Sequence, residues 1–521
     1  MSFSEVPDEI IQHLLYYVSP EDTLTSFQLI SHRLRRLANE PLLWRYHCQS
    51  SFKFWHPEHR FHQRLRDRAP ETPWKKLFII RKCRNAQISR LLDEILATKV
   101  GRLRRFEEVC KLGYDAKDFL LEQCNADDSI DDHLARRYYS GALLDSVHRS
   151  LAVEEWHKIQ VASVDPNAHP SGFDLERVLG AFDLFVLHDQ PGDIDDIGHM
   201  LDAMAAEFRN TRPDIDVLTT RQKALALNRW LHINNLTVFA EQGKTLEGAP
   251  ASQPNAPLER MYLDPYGSSE EVPMADLQAM IARLGWQSST DVFLAPVSPI
   301  AIATRTARNI RATAARVMEA RDEADIELTQ LITGNDSTNI DAALYSALWA
   351  SLLLTPADAF EWDEALEPFL NRFAKSWCED AWLVEKYIFP RNGERKQPVL
   401  YKIGQVFKHR RYGWIGAVNG WTDQGTRRLP TPHTVAIDET LDDNSDTELP
   451  NLVRPRNRTF YTCVRTSGPE RHVVAEDNIV LIRDPSEVPK SLFPQAGKFF
   501  KRFDAETCSF VSNITEQYPD D

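Results

Sequence analysis

The sequence holds no CxxC pair, no HExxH word, no GxSxG word and no GxxxxGK[ST] loop. Zinc-ribbon and zincin sites, a serine nucleophile elbow and P-loop phosphate binding therefore drop out as candidates. Long apolar runs are missing too. The nearest, 342–354, has 13 residues and includes Tyr345 and Trp349, too short to span a bilayer. Met1-Ser2-Phe3-Ser4-Glu5 has no charged segment leading into an apolar one, unlike a secretion signal. Cysteine is sparse: Cys48, Cys83, Cys110, Cys124, Cys378, Cys463 and Cys508 are odd in number and dispersed. That pattern fits reduced thiols in the cytoplasm or nucleus and offers no metal site. Positive charge is in deficit, with a net −15, which opposes nonspecific contact with DNA or an anionic membrane while leaving room for a local basic patch.

What is present suffices for several cores. A chain of 521 residues, 42% of them hydrophobic, predicts two to four domains and excludes a disordered chain. No repeat with a period of 20 to 50 residues is visible. Texture divides the chain into 1–50, compact and helical; 51–84, a basic helical linker; 85–310, mostly helical; and 311–390, a helical extension. A β-rich region at 395–490 and an unassigned tail at 491–521 complete it. The predicted fold class is multidomain α+β: N-terminal helices, a helical body and a small C-terminal β-barrel. Proline-rich breaks interrupt the body at 248–257 and 265–273, and Pro390-Arg391-Asn392-Gly393 ends it.

Near the N-terminus, Ile10, Ile11, Leu14, Leu15 and Val18 form one helical stripe. Ser19-Pro20-Glu21-Asp22 is a restart signal: a hydroxyl cap, a proline at the first position and acids at the positive end of the dipole. Leu24, Phe27, Ile30, Leu34 and Leu37 predict a second helix, and Pro41-Leu42-Leu43-Trp44 opens a third. Helices of about ten residues make a poor independent core, so a partner is expected to cover the surplus apolar side chains. This segment resembles the F-box: a Pro-x-Glu opening, a Leu/Ile-rich first helix, the Ser31-His32-Arg33 tract and a closing Leu43-Trp44-Arg45. The resemblance implies binding to a Skp-type adaptor, and through it a cullin, by Pro7, Ile10, Ile11, Leu14, Leu15, Leu43 and Trp44.

The middle carries the words Leu134-Ala-Arg-Arg-Tyr-Tyr139, Leu179 to Phe185, Arg229-Trp-Leu231 with Asn234-Asn-Leu236, and Arg260 to Tyr266. These are similar to the transglutaminase-like region of SirB-type proteins. Catalysis in that fold needs a Cys nucleophile, a His and an orienting Asp, and no cysteine lies between 125 and 377. Asp264 stands where the family's acid lies, but a lone acid in a loop is more often a turn residue. The family's central segment is also missing: Asn234-Asn-Leu236 and Gly243-Lys-Thr-Leu-Glu-Gly248 nearly touch, joined through Thr237 and Val238. Either the lineage lost the centre of the fold or a gene-model error removed it. His56, His59 and His62, beside Arg60 and Arg64, read as solvated polar surface.

After Tyr401 short β-type runs appear (Val406-Phe407, Trp414-Ile415, Phe460 to Val464, Ile479 to Ile482), punctuated by Gly404, Gly413, Gly416, Gly420 and Gly425. Tyr401 to His409, Arg411-Tyr-Gly-Trp414, Val418-Asn-Gly-Trp421 and Arg471 to Ile479 resemble the YccV/HspQ family, named for hemimethylated-DNA binding, which implies a small SH3-like β-barrel. Its interior would be filled by Val406, Trp414, Val418, Phe460 and Val464. Residues 401–482 hold eleven Lys/Arg against ten Asp/Glu, with six acids within 438–448. A duplex binder usually shows a clear basic face, so this balance favours protein recognition, with Lys408, His409, Arg410 and Arg411 as a solvated edge. The resulting expectation is a ubiquitin-ligase adaptor that presents an unknown protein target. It has no catalytic residue, cofactor, metal or membrane contact of its own; the alternative is a DNA- or chromatin-binding protein acting through the C-terminal domain.

Overall fold

The computed structural model describes residues 6–164, 175–187, 190–234, 261–264, 267–283, 298–322, 340–355, 399–422, 459–465, 472–513 and 518–519. These fall into two compact units, one drawn from 1–151, 187–191 and 367–521, the other from 152–186 and 192–366.

In the first unit, α1 (Asp8–Leu15) is followed by a helical run of α2 (Pro20–Asp22), a π-helical stretch (Thr23–Phe27) and α3 (Gln28–Ile30). Ser19 caps this run by accepting from the Asp22 N–H, with Pro20 at the first position, as the sequence predicts. The expected single second helix is broken. Ser31 is extended (φ −157°, ψ 159°) and caps α4 (His32–Leu37) through the Leu34 N–H, because a serine cap competes with helix continuation. Ile30 consequently leaves the predicted stripe and is exposed. Arg33 and Arg36 both bind the Asp8 carboxylate at 2.6 Å, tying α4 to the start of α1. Ile11, Leu15, Leu34, Leu37 and Leu43 form the small core between them.

The stretch 51–84 is not a free linker. Helix α5 (Pro41–Ser51) and α7 (Trp74–Ala97) share a core of Trp44, Cys48, Phe52, Trp55, Phe61, Trp74, Leu77 and Phe78, joined by α6 (Phe61–Arg64). Trp44 is fully buried, donates its indole N–H to the Ala38 carbonyl (2.6 Å) and packs on Phe78 at 5.3 Å. Each aromatic so buried contributes roughly 2–3 kcal/mol. The basic texture had concealed an aromatic spacing that closes the N-terminal unit onto the next helices. Ile88, Leu92 and Ile95 of α7 then pack with α8 (Arg102–Cys110), α9 (Tyr114–Cys124) and the first part of α10 (His133–Val164).

The C-terminal β domain belongs to the same unit. Strands β1 (Val406–His409), β2 (Ile415–Thr422), β3 (Phe460–Arg465), β4 (His472–Ala475) and β5 (Ile479–Leu481) form an antiparallel sheet of order β4-β3-β2-β1-β5. A 3-10 turn (Glu476–Asn478) links β4 to β5. Among the described residues those two strands do not pair, so the small β domain is expected and found, without the closed barrel. Val406, Val418 and Val464 are buried as predicted, whereas Trp414 and Phe460 are only partly so; Phe407, Trp421 and Tyr461 fill the interior instead. Gly404 sits at φ +89°, and a Cβ there would lie 1.9 Å from the Phe510 carbonyl oxygen, so no larger residue fits.

The tail that the sequence leaves unassigned completes this core. Leu492, Ala496, Phe499, Phe500, Phe510 and Tyr518 all pack into it, and β6 (Phe500–Asp504) pairs with β7 (Ser509–Ser512). The domain rests on α10: the Tyr139 hydroxyl donates to the Lys498 carbonyl at 3.0 Å, and a Cβ on Gly497 would lie 2.2 Å from the Leu134 oxygen. The segments 423–458, with the acidic stretch 438–448 and Gly425, and 356–398, with Cys378, lie outside the described residues.

The second unit is mostly helical where described, with α11 (Leu175–Leu184), α12 (Asp196–Thr211), α13 (Thr220–Asn234), α14 (Met274–Arg283), α15 (Pro299–Asp322) and α16 (Ile340–Leu354), and one antiparallel bridge between Leu263 and Glu271. Trp156 packs between Phe182 and Phe185 at 5.0 and 5.5 Å. Of the words similar to the transglutaminase-like family, Leu134 to Tyr139 lie on α10, Leu179 to Leu184 on α11, and Arg229 to Leu231 with Asn234 on α13, while Met261 to Asp264 are not helical and the junction at Thr237-Val238 lies outside the described residues. The Asp264 carbonyl accepts from the Ser268 N–H.

Candidate functional site

Along the apolar stripe of α1, Ile10 and Leu14, continued by Tyr17, form one edge, and Ile11 and Leu15, about 100° further round, form the other. The structure divides the adaptor-facing set along that line. Pro7, Ile10 (53% exposed) and Leu14 (48%) face solvent, whereas Ile11, Leu15, Leu43 and Trp44 are at most 1% exposed. The latter four are core, because a unit this small needs them to hold its own helices together. Sequence reasoning missed other exposed apolar residues: Tyr17, Leu29, Ile30, Leu42 and Tyr46. Tyr46 meets α1 through an edge contact with Tyr16 at 5.1 Å. Leu42 and Tyr46 are one helical turn apart on α5, a spacing visible in the sequence once Leu43 and Trp44 are assigned inward. The helical unit of about 45 residues thus exposes many large apolar side chains.

His59 departs from the expected solvated surface. Its Nε2 lies 2.8 Å from the Asp115 carboxylate, both are buried, and Arg84 reaches the same carboxylate. Arg81, also buried, bonds Asp118 (3.0 Å) and the Asp115 carbonyl (2.6 Å). Burial alone would raise the Asp115 carboxyl, but His59, Arg81 and the His56 N–H outweigh it and bring it down to about 2. Glu58, His59 and Asp115 converge closely enough to suggest metal ligands. The Arg84 guanidinium, bound to both Glu58 and Asp115, already supplies the countercharge, so the cluster works as a structural ion network.

Three of the described cysteines offer little nucleophilicity. Burial pushes the Cys48 and Cys463 thiols up to about 12 and the Cys110 thiol up to about 11, leaving them protonated near neutrality. Cys83 is exposed on α7. Among the described residues no helix is long and apolar enough to cross a membrane.

In the β domain, β1 and the turn that follows it carry Lys408, Arg410, Arg411 and Tyr412, all exposed, around a partly buried Trp414. His409 is buried, and its Nδ1 accepts the N–H groups of Arg411 and Tyr412, each at 3.1 Å.

These two regions coincide with the family likenesses. Residues 3–50 match the family described as F-box-like, and residues 399–507 match the one described as hemimethylated DNA-binding protein YccV like. The second match runs past 490, in agreement with the shared core. Neither match reaches the middle region. No curated protein and no solved structure matches the chain.

Proposed function

We propose that this chain is the target-binding subunit of a Skp-cullin-F-box ubiquitin ligase. One observation carries the reading: the F-box-like unit spends Ile11, Leu15, Leu43 and Trp44 on its own core and still exposes Ile10, Leu14, Tyr17, Leu29, Ile30, Leu42 and Tyr46. A Skp-type adaptor would cover that face, with Pro7 at its edge, and link the chain to a cullin. Other subunits would perform ubiquitin transfer; the high thiol pKa values of Cys48, Cys110 and Cys463 and the lack of cysteine at 125–377 support a non-catalytic role. The helical body, as a remodelled transglutaminase-like region, and the β domain would hold the target. Deleting residues 1–50 would be a poor test, because it removes Trp44 from the aromatic core. Affinity purification of the wild-type chain and of an Ile10→Asp/Leu14→Asp variant, compared by mass spectrometry, tests the proposal. The adaptor and cullin should vanish from the variant while bound targets remain.

A second reading, DNA or chromatin binding through the β domain, draws on the likeness to a hemimethylated-DNA-binding family and on the exposed Lys408, Arg410 and Arg411. The net −15 weighs against it. Retention of the whole chain on hemimethylated duplex near physiological salt, lost as salt rises, would favour it.

A further inference from the structure

The β1–β2 turn joins a row of rings to cations that, among the described residues, hold no carboxylate. Tyr412 packs on His409 (4.8 Å between centroids), His409 on Trp414 (4.9 Å), and Trp414 meets His472 edge-on (5.6 Å). Arg465 lies over Trp414 at 5.7 Å and Arg411 over Tyr412 at 5.3 Å. The platform is held in place beforehand. His409 accepts two backbone N–H groups of the turn, its carbonyl accepts the Gly413 N–H at 2.8 Å, and Gly413 takes φ +71°. A fixed platform loses little entropy on binding.

Its exposed cations, Lys408, Arg410 and Arg411, lie beside the rings without a countercharge from the described residues. Arg33, Arg81, Arg84, Arg136 and Arg502 each hold a carboxylate. Among the described residues, none of Lys408, Arg410, Arg411 and Arg465 does, and the Arg465 Nε is buried with no acceptor. A buried donor left unmade is destabilising, and an arriving anion would offer it an acceptor. The row of rings also ends at an open strand: His472 begins β4, the outermost strand, which among the described residues pairs with β3 alone. Val473 on that strand is exposed. An edge strand accepts an extended peptide by backbone pairing.

We propose that this platform binds an extended acidic peptide segment of a target protein. Its carboxylates would meet Arg410, Arg411 and Arg465, its apolar side chains would lie on Tyr412 and Trp414, and its backbone would run along β4. A duplex fits less well. A free strand edge offers a duplex nothing. This inference deepens the adaptor reading by naming the class of target, and it rests on that reading for its role in the cell.

The test uses the full chain and a fluorescein-labelled Glu/Tyr copolymer peptide, read by fluorescence anisotropy. Two variants, Arg410→Glu/Arg411→Glu and Tyr412→Ala, alter exposed side chains, and an unchanged melting temperature with retained adaptor binding checks their fold. The double reversal should weaken binding by roughly tenfold or more, since like charges would then face the peptide, and Tyr412→Ala should weaken it several-fold. A Lys/Tyr copolymer should not bind. Should Tyr412→Ala lower the melting temperature, Lys408→Glu, on the outer face of β1, replaces it with the same expected direction. The proposal is overturned if the wild-type chain does not bind the Glu/Tyr peptide or the variants bind it equally well. Tighter binding of single-stranded or duplex DNA of matched charge would overturn it too. An Ile10→Asp/Leu14→Asp chain should bind the peptide normally, so failure of the adaptor reading and failure of this one are distinguishable.

Discussion

Aspartate at positions 10 and 14 separates the docking face from the core beneath it. Ile10 and Leu14 keep 53% and 48% of their surface free in the chain alone, roughly 100 Å² each, so covering them contributes about 2.5 kcal/mol apiece at about 25 cal/mol per Å². Replacing them with carboxylates forfeits that contribution and buries unpaired charge, adding a few kcal/mol more. A total of at least about 5 kcal/mol corresponds to a loss of more than about a thousandfold in affinity. Titration calorimetry with a purified Skp-type adaptor should therefore show no measurable heat for the Ile10→Asp/Leu14→Asp chain. Its melting temperature should stay within about a degree of wild type, since exposed substitutions rarely move stability. Leu15→Asp is the contrasting variant. At 1% exposure among Ile11, Leu34, Leu37 and Leu43, it should lose binding and fold together. Undiminished affinity of the double variant would refute the docking face, and a collapse of its melting temperature would refute the division between face and core.

Other consequences follow from the buried charges, the tail and the thiols. Asp115→Asn should destabilise the first unit by about 3–5 kcal/mol, because Arg81 and Arg84 lose a buried partner; the Asp115 carboxyl lies below its unfolded value of 3.8, so its contribution is present above that pH and fades toward about 2. His148 is buried with neither ring nitrogen bonded; burial, then the Lys117 and Arg149 charges, hold it down to about 3, below its unfolded 6.5. Stability should therefore fall as pH drops below 6.5, by about 2 kcal/mol near pH 5, and His148→Leu should abolish that share of the loss in chemical denaturation. Ending the chain after residue 490 removes Leu492, Phe499, Phe500, Phe510 and Tyr518 from the β-domain core. The truncated protein should lose that domain's protease resistance, while a chain ending at 519 keeps it. Timed alkylation read by mass spectrometry should label Cys83 first and reach Cys48 and Cys463 only on unfolding.

Much of the scaffold was legible because local chemistry and tertiary demand agree. Ser19 and Pro20 mark a helix start wherever they are placed, and the alternating and glycine-punctuated runs after Tyr401 leave little choice but strands. Misreadings arose where side chains were judged by type alone. Helical period grouped Ile10 with Ile11 and Leu14 with Leu15, and could not say which half of the stripe its own small core would claim. The neighbouring Arg60 and Arg64 make His59 look solvated, yet Arg84 and Asp115, distant in sequence, are what allow it to be buried. In 491–521 Phe499, Phe500 and Phe510 carry the packing, but hairpin pairing with a bulge between Phe500 and Arg502 blurs the period-two signal. At the β1–β2 turn the residues Lys408 to Arg411 were noticed, but their neighbours Arg465 and His472 come from other strands.

Size-exclusion chromatography with light scattering, run on the purified wild-type chain mixed with a purified Skp-type adaptor, tests the central claim most directly. The account predicts a single peak at the summed mass of one copy of each, with Ile10 and Leu14 protected in hydrogen exchange. Separate elution of the two proteins at micromolar concentration would contradict it.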